Sequence, residues 1–449
     1  GLDSTGPPRP HLPGGVPDPI PGDSGAGPED SRPPLARKRP EAATTTTTPA
    51  PKAVKLTPKK PAGDSIIVLS AFDGVGAAPW LLDKDFGRPR LAMSWELDAA
   101  CRRVADHHLQ WLQQRGDLTR DSPEALVRDI DQADPSGACM VLWVAAPPCQ
   151  DFSRVREVRV GHEGDRGRLF SDAIEFMDGI RKLIPGRRFG YLYENVDMGY
   201  DAAGVVSKLL GSQPVWACPS DLGWISRPRL WWLSVDWKSH PADPLTGKAL
   251  GWGKHHKWDK LRMDGVRASA TDFETQGLSF PDGVAAGRHR MPCCTTPAMD
   301  DQGRPAPRGG RGKTPEDAKA RWLAGNRQFA PWHYHQDVMM SDQQGRLSIP
   351  TPDLKEQLHG IPRGYTEVQG LTERDRHRLI GNGWHWTVAR RLLALLVFAT
   401  AATTPATAGP PCSPGRSAIQ QVVAAFQGRL PVMGFAGSTG RAGPPSRPL

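Results

Sequence analysis

A cysteine that follows two prolines is placed for covalent chemistry. Cys149 comes after Pro147 and Pro148, directly behind the apolar stretch 140–145. Two prolines stiffen the backbone, and a helical turn starting at the cysteine would point N–H groups at the sulfur and favour the thiolate. A buried cysteine is more often inert packing. The Pro-Pro frame and the loop position after a strand favour a nucleophile here.

Charged residues accompany two later apolar runs. Glu194 and Asn195 end one run, and an acid beside the Cys149 loop could be a proton donor or a hydrogen-bond partner. The alternative is a capping or salt-bridged acid. Arg227 and Arg229 precede another run and share one face of an extended strand. Such a pair often lies on plain surface, but the apolar residues that follow indicate partial burial and a need for anionic or carbonyl partners.

A glycine-containing turn with an acid about 20 residues later is typical of a nucleoside-binding loop. Residues 72–76 read Phe-Asp-Gly-Val-Gly after one apolar run, and Glu96 ends the next. The glycines let the backbone approach a ligand, and the acid can hold both ribose hydroxyls. A plain tight turn is the alternative. This loop has no third glycine and no Gly-Lys-Ser/Thr sequence, which disfavours a pyrophosphate or ATP loop and favours S-adenosylmethionine as the cofactor.

The segments that must position these residues alternate between strand and helix patterns. Continuous apolar runs predict buried strands at 66–69, 91–95, 140–144 and 190–193. Apolar residues at helical spacing predict a helix over 169–184. This alternation predicts an α/β fold with a doubly wound, mostly parallel sheet, in which ligands bind at the carboxyl ends of the strands.

Proline and charge divide the chain into segments. Residues 1–63 hold 15 of the 45 prolines and residues 401–449 another 8, so both are expected to be disordered, the first as a Pro/Thr-rich basic tail. The tails also carry most of the net charge of +9, so that charge says little about the folded part. Residues 238–345, with 16 basic and 12 acidic side chains, are predicted to form a smaller irregular lobe. It separates two parts of one catalytic domain, 64–237 and 346–400.

Several classes of protein are disfavoured by what the sequence contains. The seven cysteines form no Cys-x-x-Cys pair, which argues against a zinc ribbon or any other metal site. No apolar run approaches the roughly 18–20 residues that span a bilayer, so no membrane partner is expected. The chain opens on Gly1-Leu2 without a signal peptide, so we expect a processed or excised piece from a reducing compartment.

Taken in chain order, the motifs resemble those of the DNA (cytosine-5) methyltransferase family. The resemblance covers about 66–237 and 346–398. It is carried by the cofactor loop, Pro-Pro-Cys-Gln, Glu-Asn-Val, Arg-x-Arg and a late Gly-Asn-Gly-Trp at 381–384. Phe72-Asp73-Gly74, the Gly-Arg-Leu-Phe sequence at 167–170 and Arg-x-Arg-x-Trp-Trp look closest to its eukaryotic de novo branch. The family has a methyltransferase fold with a target-recognition lobe, to which 238–345 would correspond.

The resemblance implies a role for each matching residue. Cys149 would be the nucleophile, Glu194 the acid at cytosine nitrogen 3, Arg229 a contact to the base carbonyl, Arg227 a brace and Asn195 the residue that orders the Pro-Cys loop. The pocket for S-adenosylmethionine would be lined by Phe72, Asp73, Gly74, Gly76, Glu96, Leu97, Asp129, Ile130, Pro147, Leu169, Asn382 and Trp384. The resemblance further implies double-stranded DNA as partner, a nuclear location, a part in epigenetic regulation and possible homo- or hetero-oligomers through the catalytic domain.

Two other functions remain open at the level of sequence. One branch of the family acts on transfer RNA with the same catalytic core. A catalytically inactive, nucleic-acid-binding regulator is the other, but such proteins lose the cysteine or the glutamate, and this chain keeps Cys149 and Glu194. A second thiol pair, Cys293-Cys294, falls where the lobe rejoins the core and is interpreted as packing rather than chemistry.

Overall fold

One large sheet organises the protein. The computed structural model describes residues 60–152, 161–236, 240, 242–263, 268–293 and 315–403. The sheet contains β1 (Ile66–Ala71), β2 (Leu91–Trp95), β3 (Gln113–Gln114), β4 (Met140–Ala145), β5 (Phe189–Val196), β6 (Val215–Ala217), β8 (Arg229–Leu233), β9 (Gly251–His255) and β10 (Trp258–Arg262). Two short pairs lie outside it: β7 (Ile225–Ser226) with β11 (Met291–Pro292), and β12 (Met340–Ser341) with β13 (Leu347–Ser348).

The strand order is β3-β2-β1-β4-β5-β8-β6-β10-β9, and all strands except β8 and β9 share one direction. Every residue of β1, β2 and β4 is buried. Strands covered on both faces must be apolar throughout, which is why their runs could be recognised in the sequence. The predicted doubly wound, mostly parallel α/β fold is confirmed.

Helices cover both faces of the sheet. The helices that do so are α1 (Ala77–Phe86), α2 (Ala99–His108), α3 (Pro123–Ala133), α4 (Asp165–Leu183), α5 (Tyr200–Leu210), α9 (Glu373–Asn382) and α10 (Trp386–Ala402). Buried residues of α6 (Asp282–Ala285), α7 (Glu316–Ala324) and α8 (Pro352–Leu358) belong to smaller cores. Alternate strand residues face opposite sides. Ile66 and Val68 therefore pack with α1, α2, α9 and α10, whereas Ile67 and Leu69 pack with α3, α4 and α5. In the described residues no helix is long and apolar enough to cross a membrane.

The reversed strand β8 brings the arginine pair to the carboxyl end of β5. Arg229 begins β8 and lies opposite Val196, the last residue of β5. Because β8 runs against β5, residues that precede β8 in the chain meet residues that end β5. Arg227 and Glu194 therefore lie at the same edge of the sheet, which is the edge where doubly wound folds bind ligands.

Part of the region predicted to be irregular extends the main sheet. Residues 251–262 form a hairpin of β9 and β10, and β10 pairs in parallel with β6. Leu261 and Met263 are fully buried in the core on the side of α1 and α10. The sequence interpretation missed this hairpin because its glycine, lysine and histidine residues have no strand pattern.

The rest of that region has a small core of its own. Trp224, Phe280, Met291 and Leu354 pack together with the β7–β11 pair. This core draws on residues on both sides of the predicted boundary at 345, and the boundaries themselves stay predictions. Most of the two predicted tails, residues 1–59 and 404–449, lies outside the described residues.

Candidate active site

A cleft of about 240 Å³ opens where β1, β2, β4 and β5 end. The first residues of β8 and the turn from α9 to α10 complete its walls. Of the residues predicted from sequence, the cleft is lined by Phe72, Asp73, Gly74, Glu96, Pro147, Cys149, Glu194, Arg227, Arg229, Asn382 and Trp384. The structure thus brings the predicted nucleophile, the acid and both arginines together with most of the predicted cofactor residues.

Glu96 closes the loop that follows β1. One oxygen of its carboxylate, Oε2, accepts a hydrogen bond from Gly74 N at 2.9 Å, and the other, Oε1, accepts one from Asp98 N at 2.8 Å. Gly74 has φ of 62°, in the left-handed region that favours glycine. Burial raises the pKa of Glu96, against these backbone hydrogen bonds. A carboxylate has about four acceptor positions, so Glu96 retains capacity for the hydroxyls of a nucleoside.

Asp73 places a second carboxyl in the same wall. Ser70 Oγ donates to its Oδ1, while its buried Oδ2 has no hydrogen-bond partner. Burial raises the pKa of Asp73 to about 7; the hydrogen bond from Ser70 opposes this rise and the charge of Glu96 adds to it. A positively charged group bound in the cleft near this carboxyl would favour its ionised form.

Cys149 lies in the loop that follows β4. Asn195 Nδ2 donates to Pro147 O at 3.0 Å, so the end of β5 holds the Pro-Pro segment in place. Residues 150–152 form a turn rather than the helical turn that would favour a thiolate. Burial raises the pKa of the Cys149 thiol, although the charge of Arg229 opposes the rise. The resting cysteine is therefore a protonated thiol at neutral pH.

Glu194 is held by two partners at the cleft. Its Oε1 forms a 2.9 Å ion pair with Arg229 Nε, and its Oε2 accepts a 3.2 Å hydrogen bond from Trp384 Nε1. Trp384 in turn packs edge-on against Trp231 of β8 with ring centroids 5.5 Å apart. Arg229 also donates to Pro228 O at 2.8 Å. These contacts fix the orientation of the carboxylate before any substrate enters.

Several predicted cofactor residues lie outside the cleft lining. Leu97 is 64% exposed beside Glu96, and Ile130 is fully buried against the sheet. Asp129 forms a 2.7 Å ion pair with Arg115, Leu169 is half-buried on α4, and Gly76 caps the start of α1. Membership in a sequence motif therefore does not determine which side chains line the cleft.

Two aspartates with a role in the site were missed from the sequence. Asp98 lines the cleft, caps α2 through Ala100 N at 2.9 Å, and is paired with Arg378 of α9. Asp151, next to the Cys149 loop, accepts hydrogen bonds from Arg166 N at 3.1 Å and Gly167 N at 3.0 Å at the start of α4. The helix-capping position of Asp98 was a usable signal. The contact of Asp151 joins distant segments and leaves no local pattern.

Comparison with solved structures finds several similar chains. No protein-family model matches the sequence. A triple mutant of DNMT2 from Spodoptera frugiperda is similar with 16% identity and a TM-score of 0.45, covering 73% of this chain and 98% of that one. Dnmt2 methyltransferase of S. pombe has 15% identity and a TM-score of 0.41, covering 74% and 98%. The methyltransferase EhMeth of Entamoeba histolytica has 12% identity and a TM-score of 0.45, covering 74% and 97%.

Proposed function

We propose that this protein transfers a methyl group from S-adenosylmethionine to carbon 5 of cytosine in DNA, through a covalent bond between Cys149 and the base. The supporting observation is the arrangement of the cleft. A thiol, a carboxylate and two guanidinium groups meet there beside a loop with the features of a nucleoside-binding site. The sequence motifs that resemble the DNA (cytosine-5) methyltransferases supply the same residues.

The residues on the β1–β2 side fit the proposed cofactor. Glu96 would accept from the ribose hydroxyls, and the carboxyl of Asp73 in the same wall would favour a positive charge nearby. Asn382 and Trp384 line the opposite wall of the same cleft. When bound, S-adenosylmethionine supplies an electrophilic methyl group on a sulfonium. The loop after β1 contains no Gly-Lys-Ser/Thr sequence for phosphates, in agreement with a cofactor that has none.

The residues on the β4–β5 side would activate the base. Carbon 5 of cytosine is a poor nucleophile, and addition of the Cys149 sulfur at carbon 6, with a proton at nitrogen 3, turns the ring into an enamine. Glu194 would hold the nitrogen 3 proton, and Arg229 would donate to the carbonyl oxygen of the base. Because the pKa of Cys149 is raised, its thiol proton would pass to solvent as the carbon–sulfur bond forms. Once carbon 5 carries the methyl group, a solvent base would remove the carbon 5 proton. The ring double bond would then re-form as the carbon–sulfur bond breaks, and Cys149 would leave as a thiolate.

DNA as substrate and the nucleus as location are also part of the proposal. A cytosine within a duplex must be flipped out of the stack to reach Cys149, at a cost of a few kcal/mol. The basic residues of 238–345 would contact phosphates and repay part of that cost. Basic clusters at 37–39 and 52–60 are compatible with nuclear targeting. Oligomers through the catalytic domain stay a prediction.

The decisive experiment uses a covalent trap. We expect Cys149→Ser to lose methyl transfer while its melting temperature and cofactor binding stay close to those of the unmodified protein. A duplex with 5-fluorocytosine should form an adduct on Cys149 in the presence of S-adenosylmethionine, because fluorine blocks the last elimination. Cys139→Ser, at a buried cysteine before β4, is the matched control and should form the adduct. Activity in Cys149→Ser, or an adduct on another cysteine, would refute the mechanism.

A further inference from the structure

Arg227 is a buried cation whose contacts join three parts of the molecule. It is 4% exposed, and it lies just before β8. Its Nη2 donates to Gly383 O at 2.6 Å and to Gly381 O at 3.1 Å. The turn that carries these carbonyls also places Asn382 and Trp384 in the wall of the cleft. Movement of the Arg227 guanidinium would therefore move that wall.

The third contact of the guanidinium is a thiol from the lobe. Arg227 Nη1 donates to Cys293 Sγ at 2.7 Å. Cys293 follows β11, and β11 pairs in parallel with β7, whose last residue, Ser226, precedes Arg227. Cys293 packs against the small core of the lobe, and the hydrogen bond from Arg227 is a contact that the packing interpretation did not include. The sulfur of Cys293 is a hydrogen-bond acceptor for a buried arginine. The β7–β11 pair positions both groups, because β7 ends one residue before Arg227 and β11 ends one residue before Cys293.

Charge explains why this acceptor matters for Glu194. Burial lowers the pKa of Arg229, and the positive charge of Arg227 lowers it further. The two guanidinium groups therefore repel each other within a buried part of the site. The charge of Glu194 acts on both of them. In the structure Glu194 forms its ion pair with Arg229 and accepts from Trp384. A sulfur acceptor on Arg227 leaves the carboxylate free for these two partners.

We propose that Cys293 is a positioning residue for the methyl transfer. Its sulfur holds Arg227 against the turn 381–383 and keeps Glu194 oriented by Arg229 and Trp384. This inference rests on the proposed function. It assigns to the lobe a structural link to the catalytic residues in addition to any contact with nucleic acid.

Kinetics of three variants test the link. Cys293→Ala removes the acceptor, and we expect kcat to fall about ten- to hundredfold, as for a misplaced catalytic group, with KM for DNA changed less than about threefold. Cys293→Ser keeps an acceptor and should recover most of kcat. Cys139→Ser, remote from the cleft, should match the unmodified protein. A Cys293→Ala protein with unchanged kcat, or a Cys293→Ser protein no better than Cys293→Ala, would overturn the inference.

A second measurement does not depend on activity. Nitrogen-15 NMR of arginine side chains, with the Arg227 signal assigned through Arg227→Lys, reports whether the guanidinium is held. We expect slowly exchanging Arg227 protons in the unmodified protein and in Cys293→Ser, and loss of these signals in Cys293→Ala. Unchanged signals in Cys293→Ala would refute the positioning role. If the unmodified protein methylates no cytosine, the proposed function fails, while this measurement still decides whether Cys293 holds Arg227.

Discussion

The carboxyl of Asp73 titrates near neutral pH, because burial raises its pKa from 3.8 to about 7. Between these two values the folded protein binds a proton that the unfolded chain has lost. The free energy of unfolding should therefore decrease as the pH rises through this window and level off above it. In Asp73→Asn this dependence disappears. We expect its melting temperature to match the unmodified protein near pH 4 and to exceed it near pH 8.

A matched substitution at an exposed acid separates burial from general charge effects. Asp106→Asn changes the same chemical group on the surface of α2. Its melting temperature should follow that of the unmodified protein across the whole pH range. If Asp73→Asn and Asp106→Asn give the same pH profile, the raised pKa of Asp73 is wrong.

Most of the reactive side chains of the cleft could be predicted from residue types in the sequence. The others were recognised only from their contacts in the structure. Cys149 and Glu194 could be predicted because each directly follows or ends a buried apolar run. The capping position of Asp98 left a local signal, but its ion pair with Arg378 could not be predicted, and neither could the contact of Cys293 with Arg227, because these partners lie far away in the sequence. No local pattern encodes a contact between distant segments, so such residues become apparent only once the fold is known.

At the scale of elements, Asp151 connects the Cys149 loop to the first turn of α4. The first N–H groups of a helix lack partners within the helix, and this carboxylate accepts two of them from outside. Asp151→Ala should lower the free energy of unfolding by about 1–2 kcal/mol, as for a lost helix cap, and should reduce kcat because the Cys149 loop loses an anchor. Chemical denaturation and single-turnover methylation measure the two effects.

The control for Asp151 lies on the same helix. Asp165 is an exposed acid in the first turn of α4, so it shares the favourable interaction with the helix dipole but not the burial. Asp165→Ala should change stability by less than about 1 kcal/mol and leave kcat unaltered. Equal effects at both positions would mean that Asp151 contributes only through the helix dipole.

Strand prediction succeeded in the centre of the sheet and failed at its edge. β1, β2, β4 and β5 are buried on both faces, and continuous apolar runs report that burial directly. The β9–β10 hairpin instead has Gly, Lys and His among its residues, and its partner β6 lies well before it in the chain. Such an edge is determined by tertiary packing, which propensity does not capture.

At the scale of the whole molecule, the basic residues of 238–345 bear on the choice of nucleic acid. This segment contains 16 Lys and Arg side chains, which are enough for several phosphate contacts along a duplex. A transfer-RNA enzyme would instead recognise a folded, partly single-stranded shape by stacking. We expect unlabelled duplex DNA to suppress methylation of a labelled duplex far better than transfer RNA does. Faster methylation of transfer RNA would favour the alternative substrate.

The pairing of β10 with β6 limits how this protein could be re-engineered. A chimera that exchanged all of 238–345 for a foreign lobe would remove Leu261 and Met263 from the core and uncover β6. Exchange of 268–345 would keep the hairpin. The shorter exchange still replaces Phe280 and Met291, which pack with Trp224 and Leu354. We therefore expect both exchanges to lower stability, and the longer one, which also uncovers β6, to give the larger aggregated fraction in size-exclusion chromatography. The transplantable unit would thus be shorter than the segment that interrupts the catalytic motifs.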